Sequence, residues 1–278
     1  MNLGFKIKNQ FILFYLICFI VNYLWLFSNS LLLSSLNPIF FVNELDFTKN
    51  IVMLTNLHHF IIKEQWLALV FDLLYIALPV LLTFATLKNH KAVQFIAFAT
   101  SIFSLVYFSL LSSYTFISVH ACIGWVFVPL IFSAKTNEGL YFYFNSARYY
   151  FILIIASSAI WKIRLGGVFN PEQMSGILLH QHKHYLAAFN SDWFTNLNFF
   201  LVRNSSISYF LYLAAFFIEL IFLIELFTKR YDRLLVILLF LFIVFDLLIM
   251  QIFYFTWLGF AGFFYFSRFI KINTEAYK

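Results

Sequence analysis

The sequence predicts an all-α fold, a polytopic integral membrane helix bundle of about eight transmembrane helices. Hydrophobic residues make up 63% of the 278 residues and charged residues only 11%, whereas a soluble domain carries about 25% charged residues. The mean hydropathy is +0.88. Apolar runs close to the ~20 residues that a bilayer requires recur along the chain. These observations exclude an ordinary soluble domain.

The apolar runs define the expected helices in chain order. The first run follows Lys6 and Lys8 and is expected to be a retained span, since no small-x-small cleavage site follows it. The last two runs are separated by an expected break near Thr256 or Gly259, because one continuous helix would far exceed the hydrocarbon thickness. The predicted spans are residues 9–28, 66–87, 92–113, 117–133, 147–162, 206–227, 233–252 and 255–270.

The distribution of basic residues predicts the orientation, because cytoplasmic loops retain positive charge. With eight spans, both the N-terminus and the C-terminus are expected in the cytoplasm, and the expected location is a bacterial inner membrane. The net charge of +6 is spread among loops and does not indicate nucleic-acid binding. Of the 18 lysines and arginines, the outer side then holds only Lys49, Lys63, Lys162, Arg164, Lys183 and Arg203.

The chain is expected to form a single membrane domain over residues 1–278. Two longer segments, residues 29–65 and 163–205, then lie on the extracytoplasmic side, and neither is large enough for a separate soluble domain. The run LLLSSLNPIFF in the first predicts an interfacial helix. In the second, Asn170 is predicted to be a helix N-cap and Pro171 the first helical residue.

Histidines are concentrated on this outer side, which holds all of them except His90. The run HQHKH, residues 180–184, offers imidazoles, which suit Zn, Cu, Fe and Ni. On a helix, however, only His180 and His184 share a face, and no cysteine lies nearby. We therefore expect no metal and interpret the run as an interfacial polar face or a lid; a bound metal is the alternative.

Four titratable side chains are expected in the outer half of the bilayer. An ionisable residue at the centre of a span costs about 2.5–3.5 kcal/mol on insertion scales, so each one is a candidate functional residue. A rise of ~1.5 Å per residue puts Asp72 about 9 Å below the outer edge and Asp246 in the outer half of its span. His120 lies near the outer start of the fourth predicted span, and Lys162 closes the fifth on the same side.

This set suits proton-transfer chemistry, with Lys162 and His120 as catalytic residues and Asp72 and Asp246 as supporting groups. Desolvation can lower the pKa of a lysine until it acts as a base, with a histidine as its partner. The alternative is structural: Asp72 or Asp246 pairs with Lys162 only to permit its burial. Glu219 is expected deeper toward the inside, where a helix-to-helix hydrogen bond is its expected role.

Three segments resemble the membrane domain of the vitamin K-dependent gamma-carboxylase-like (HTTM) membrane protein family. They are VYFSLLSSYTFISVHACIGWVFVPLIFSA, FILIIASSAIWK, and the stretch from IELIFLIELFTKRYDR to GFAGFFYF. The resemblance implies that His120 and Lys162 occupy the positions of the family's histidine and catalytic lysine. The chain departs from the family at Asp246, where a histidine is usual, and at Thr256, which replaces a proline.

The resemblance implies a membrane enzyme with carboxylase-like lyase or oxidoreductase chemistry. Lys162 would act as the base on a lipid-soluble, quinol-like substrate, so a quinone is the cofactor that the resemblance suggests. The first alternative is a non-enzymatic accessory protein that contacts a membrane or exported protein partner through its outer histidine-rich segment. The second is a transporter, which requires a path between Asp246 and Glu219. In all three cases the lipid bilayer is the expected surrounding.

Overall fold

The computed structural model describes residues 3–36, 54–115, 123–188 and 192–267. Throughout these ranges the regular structure is helical and contains no strand, which confirms the all-α prediction. The chain divides into two compact units. Unit 1 comprises residues 1–147 and 254–278, and unit 2 comprises residues 148–253.

The α-helices of the described ranges vary from short turns to rods of more than six turns. Short 3₁₀ turns and one π-helical turn, Asp246–Met250, extend or connect them. In chain order the helices are α1 (Leu3–Ser28), α2 (Leu57–Lys63), α3 (Gln65–Leu87), α4 (Val93–Tyr114), α5 (Ile123–Phe127), α6 (Asn137–Arg164), α7 (Gln173–Ala188), α8 (Trp193–Arg203), α9 (Ser205–Ile221), α10 (Asp232–Phe245) and α11 (Leu258–Phe266).

Within the described ranges, 5 helical stretches are long and apolar enough to cross a membrane, as an integral membrane protein requires. Each of them coincides with one of the predicted spans. They are Lys6–Ser35, Gln65–Leu87, Val93–Tyr114, Ser205–Leu226 and Asp232–Met250.

The other three predicted spans do not meet that criterion. The apolar helices Gly124–Ser133 and Phe255–Phe266 fall within two of them but are shorter than a span. The third, residues 147–162, is part of α6, which begins well before the predicted start and has a polar first half. The count of eight transmembrane helices is therefore not confirmed.

The expected break between the last two spans is present, but it falls a few residues earlier than predicted. The π-helical turn ends at Met250, and Gln251 takes a left-handed backbone conformation with φ 53°. The backbone is non-helical from Gln251 to Tyr254 and becomes helical again at Phe255. The second of the two boundaries between the units lies in this break, after Phe253.

Aromatic side chains form the core of unit 1. The ring of Phe11 in α1 lies 4.8 Å from that of Phe144 and 5.4 Å from that of Phe263, measured between centroids. Tyr15 packs edge-on against Trp125 of α5 at 5.2 Å. All five side chains are buried, and tilted or edge-on pairs of this kind add to the stabilisation from burial alone. The core therefore joins α1, α5 and α11.

Asp72 of α3 is a buried carboxylate whose hydrogen bonds lie within unit 1. It accepts from the backbone N–H groups of Leu33, at 3.1 Å, and Ser34, at 2.9 Å. The Tyr107 hydroxyl of α4 donates to it at 2.7 Å, and the Tyr107 ring stacks on that of Tyr75. Asp72 thereby anchors the turn after α1 to α3 and α4.

The predicted outer segment 29–65 is described only in part. Leu33–Ser35 forms a 3₁₀ turn, and α2 follows before α3. Of the run LLLSSLNPIFF, for which an interfacial helix was predicted, the structure describes only residues 31–36; the rest of the run, within residues 37–53, lies outside the described ranges.

The other predicted outer segment, 163–205, forms two helices, α7 and α8, which pack against each other and against α9. The predicted helix start falls two residues early, because α7 begins at Gln173 and Pro171 lies in the turn before it, where the Asn170 side-chain oxygen accepts from the Glu172 N–H at 3.0 Å. Asp192 caps α8 by accepting from the Thr195 N–H at 2.9 Å. One apolar cluster joins the three helices through the buried side chains of Met174, Leu178, Leu201 and Tyr212.

Gly124→Ala is expected to destabilise unit 1. A Cβ at this position would collide with the backbone carbonyl oxygen of Thr256, which no side-chain rotation can relieve. Overpacking of this kind costs about 1–3 kcal/mol. Gly176→Ala in α7 is the matched control, because nothing lies within 4 Å of the added Cβ and alanine is the better helix former.

Thermal unfolding of the full chain in detergent checks this prediction. The midpoint should fall for Gly124→Ala and stay the same or rise for Gly176→Ala. Equal midpoints for the two variants would contradict the close approach of α5 to the Phe255–Trp257 turn.

Candidate functional site

The candidate site lies between α6 and α9, which run antiparallel in unit 2. Contacts along the pair fix this direction, since Lys162 meets Glu219 at one end and Arg148 meets Glu225 near the other. Between them the rings of Phe151 and Phe222 pack edge-on at 6.2 Å. Two basic side chains of α6 are thus paired with carboxylates at opposite ends of one apolar contact.

An ion pair between Lys162 and Glu219 forms the centre of the site. The Lys162 ammonium donates to Glu219 Oε1 at 2.7 Å, and the Ser158 hydroxyl donates to the same oxygen at 3.0 Å. The side chain of Glu219 is only 2% exposed, whereas that of Lys162 is 22% exposed. The second oxygen, Glu219 Oε2, is buried and has no hydrogen-bond partner among the described residues. The pair therefore combines an accessible cation with a carboxylate that retains an acceptor oxygen.

Tyr212 covers the ammonium group of Lys162. The ammonium nitrogen lies 5.4 Å from the centroid of the Tyr212 ring, within the range of a cation–π interaction. Gly167 approaches this tyrosine closely, since a Cβ there would lie 2.5 Å from the Tyr212 hydroxyl and would force that side chain to shift. Because Tyr212 also belongs to the apolar cluster of α7, α8 and α9, this cluster packs directly onto the site.

Asp246 is the third charged member of the site. Its buried side chain acts electrostatically on both Lys162 and Glu219. Asp246 begins the π-helical turn, and its carbonyl accepts from the N–H groups of Gln251 and Ile252. π-Helical turns occur frequently at functional sites. With one cation and two carboxylates, the three groups carry a formal charge of −1, and one added proton brings that charge to zero.

A second set of charges is fully buried near the other end of the α6–α9 contact. Arg148 is 0% exposed, and its Nη2 donates to Glu225, to Asp232 at 2.8 Å and to the Thr228 carbonyl at 3.2 Å. Such a cluster is expected to fix the register of the helices, because a buried arginine is stable only when its charge is paired. From the sequence, Arg148 was one of the basic residues expected at the cytoplasmic side, at the inner end of the predicted span 147–162, and its role in this cluster was not predicted.

The structure corrects the predicted partner of Lys162. The structural alternative paired it with Asp72 or Asp246, but the ion pair that forms is with Glu219. The helix-to-helix hydrogen bond expected for Glu219 is confirmed, whereas its expected separation from Lys162 is wrong. Asp246 does share a unit with Lys162, Asp72 belongs to unit 1, and His120 lies outside the described residues.

The error in depth has a geometric cause. The depths predicted from the sequence assumed that every span begins at the same membrane plane. Glu219 lies 14 residues after the start of α9, or roughly 21 Å along its axis, yet it meets Lys162, two residues before the end of α6. The first turns of α9 therefore extend well beyond α6, and α7 and α8 pack against them. Ser158 and Lys162 are four residues apart and therefore lie on the same face of α6. This shared face was the available sequence signal for a common acceptor.

The histidine-rich run lies on α7. His180 is exposed, whereas His182 is buried edge-on against Phe194 at 4.9 Å, and burial lowers the pKa of its imidazole below the ordinary value. The His184 side chain lies outside the described residues. Among the residues that are described, no three histidine, cysteine, aspartate or glutamate side chains are grouped as a metal would require.

No protein-family model matches this chain, and no curated protein or solved structure matches it.

Arg148→Met is expected to lower the free energy of unfolding by about 3–5 kcal/mol, because it leaves buried carboxylates without their cation. Arg164→Met is the control, since Arg164 is exposed and stacks on Trp161 at the end of the same helix. Denaturant titration in mixed micelles measures both. A loss at Arg148 no larger than that at Arg164 would show that the cluster does not hold α6 in place.

Proposed function

We propose that the chain is an integral membrane enzyme of the vitamin K-dependent gamma-carboxylase-like (HTTM) type. In this proposal Lys162 removes a proton from a lipid-soluble, quinol-like substrate. The observation that carries the proposal is the hydrogen bond from the partly exposed Lys162 ammonium to the buried Glu219 carboxylate. A lysine base must first give up its proton, and Glu219 is an acceptor already in place.

The proton transfers follow from this geometry. The Lys162 ammonium passes one proton to Glu219 along the 2.7 Å hydrogen bond, which leaves a neutral amine beside a neutral carboxylic acid. The amine then takes the proton of a substrate hydroxyl, and the products are an ammonium and a quinolate anion. Charge is conserved in each step, and the new anion forms next to a cation.

The unpartnered oxygen of Glu219 supports a role in holding the substrate. Glu219 Oε2 lies on the same carboxyl group that binds Lys162 and is free to accept a hydrogen bond from a substrate hydroxyl. Binding there would bring the hydroxyl close to the lysine nitrogen, as general-base catalysis requires. Asp246 contributes a second negative charge near Lys162. The resemblance assigns the assisting role to His120, and Asp72 remains a predicted supporting residue.

A transporter is the second candidate function. Such a protein needs a path between Asp246 and Glu219, and these two carboxylates do interact electrostatically in unit 2. Carboxylate chains of this kind relay protons in pumps and transporters. Proton uptake into vesicles, lost in both Asp246→Asn and Glu219→Gln, would favour this function over the enzyme.

The proposed membrane arrangement has eight crossings in one membrane domain. The stretch Gly124–Ser133, the apolar second half of α6, and α11 would then cross the bilayer together with the 5 longer helices. The N- and C-termini would face the cytoplasm of a bacterial cell, and residues 163–205 would face outward.

Lys162→Arg is expected to abolish catalysis while the protein stays folded. Arginine keeps the charge that pairs with Glu219 but does not release its proton, so it preserves a structural ion pair and removes a base. The expected loss of rate is about 10²- to 10⁴-fold. Lys183→Arg, at an exposed position of α7, is the matched control and should keep the full rate.

The assay is oxygen uptake by proteoliposomes supplied with a short-chain naphthohydroquinone, because the quinolate reacts with oxygen faster than the quinol. Empty liposomes give the background rate. The double variant Lys162→Gln/Glu219→Gln keeps a neutral hydrogen bond and should also be inactive. Wild-type activity in folded Lys162→Arg would refute the lysine base.

The topology is tested with alkaline phosphatase fusions, which are active only outside the cytoplasm. A fusion after His90 should be inactive, and a fusion after Lys183 should be active. The reverse pattern, or equal activity at both sites, would contradict the proposed orientation.

A further inference from the structure

A basic cleft of about 630 Å³ lies in unit 1, at the turn between α3 and α4. Among the described residues, its lining contains three lysines and one histidine but no aspartate or glutamate. Glu138 follows the lining residue Asn137 along α6 and is not itself part of the lining. The charged and titratable lining residues are Lys8, His90, Lys91 and Lys135.

Backbone hydrogen bonds fix one wall of the cleft. Asn89 adopts a left-handed conformation, and the His90 N–H donates to the Ala85 carbonyl at 2.8 Å, which ends α3 sharply. His90 Nδ1 accepts from the Ala92 N–H at 3.1 Å. A neutral imidazole that accepts at Nδ1 carries its proton at Nε2, so His90 retains a donor.

The opposite wall is the turn that precedes α6. Lys8 donates to the Ala134 carbonyl at 2.9 Å, and Gln94 donates to the Ser133 carbonyl at 2.8 Å. Thr136 Oγ accepts from the Gly139 N–H at 3.0 Å in the first turn of α6. Lys8 and Gln94 thus hold the turn in position, while Lys91 and Lys135 are exposed.

The electrostatics of the cleft favour an anion. The helices α4 and α6 both begin at its lining, and the N-terminal end of a helix carries a partial positive charge. Lysine, neutral imidazole and helix N–H groups are all donors, and together they suit a phosphate group. The volume is also within the range of small-molecule sites.

A neighbouring apolar groove indicates that the phosphate belongs to a lipid. This groove, of about 420 Å³, lies between α3 and α4, and its lining is entirely apolar, from Phe95 to Val106 on α4 and from Phe71 to Leu78 on α3. It begins one residue after Gln94 of the cleft. A phospholipid with its headgroup in the cleft therefore has an apolar channel for an acyl chain along the adjoining helices.

We propose that this cleft binds the phosphate-bearing headgroup of an anionic phospholipid. Lys91 and Lys135 supply the free charges, and Lys8 and His90 complete the basic lining. Basic pockets at the cytoplasmic ends of membrane helices are suited to such headgroups. The proposal is independent of the enzymatic function, because it involves unit 1 alone.

Native mass spectrometry of the full chain in detergent tests the proposal. The association constants of dioleoyl phosphatidylglycerol and dioleoyl phosphatidylcholine are compared for the wild type and for Lys91→Gln/Lys135→Gln. The preference for phosphatidylglycerol should fall about 30-fold in this variant, as expected for two lysines near a lipid phosphate. Lys8 is left intact because it also holds the Ala134 turn.

Arg230→Gln/Arg233→Gln is the matched control, since it removes two exposed positive charges that do not line the cleft. This control should keep the preference. An equal loss in both double variants would show a general charge effect and overturn the proposal.

Calorimetric titration with inorganic phosphate distinguishes a lipid from a soluble source of the phosphate group. Weak or undetectable binding of phosphate, together with cleft-dependent binding of phosphatidylglycerol, supports the lipid. Cleft-dependent binding of phosphate alone would assign the same anion site to a soluble ligand and overturn the lipid headgroup. Failure of both probes would overturn the site itself.

Discussion

The ion pair between Lys162 and Glu219 is the interaction on which the arrangement of unit 2 depends. Neither group is stable alone in apolar surroundings, because an unpaired buried charge costs several kcal/mol. Arg148 imposes the same requirement near the middle of α6, where Glu225 and Asp232 surround it. The two sets of contacts leave α6 and α9 little freedom to slide past each other, and they hold the start of α10 against the same helix.

This pairing also brings the other features of the site together. Once Lys162 reaches Glu219, α9 must extend beyond the end of α6, and the exposed turns of α9 are covered by α7 and α8. Tyr212 lies where this cover meets the ion pair, so its ring contacts both the ammonium and the apolar cluster. The resulting group has a partly accessible cation, an unused carboxylate oxygen and a second carboxylate nearby. Those are the properties that proton transfer needs.

The sequence predicted the helices well where the composition of a run alone determines its structure. The span predicted at residues 66–87 is α3, Gln65–Leu87, because an uninterrupted apolar run of this length has few other structures available. The start of α7 was also predictable to within two residues, since the turn at Asn170 depends on neighbouring residues only. Even the separation of the last two spans followed from their combined length.

The site was less predictable because it depends on how far one helix is displaced along another. Lys162 was predicted as a candidate residue, but its ion-pair partner was not, since nothing in an apolar run records the plane at which α9 begins. Arg148 presented a similar difficulty. From sequence it is one of many basic residues near a span end, and only its packing against Glu225 and Asp232 distinguishes it.

A double-mutant cycle on Lys162 and Glu219 tests this account most directly, with the free energy of unfolding measured by denaturant titration in mixed micelles. Lys162→Met and Glu219→Met should each destabilise unit 2 by about 3–5 kcal/mol, because each leaves the other charge unpaired. The free energy of unfolding of the double variant should fall by far less than the sum of the two single losses, with a coupling energy of at least about 1 kcal/mol. Additive losses would contradict the claim that this ion pair organises unit 2.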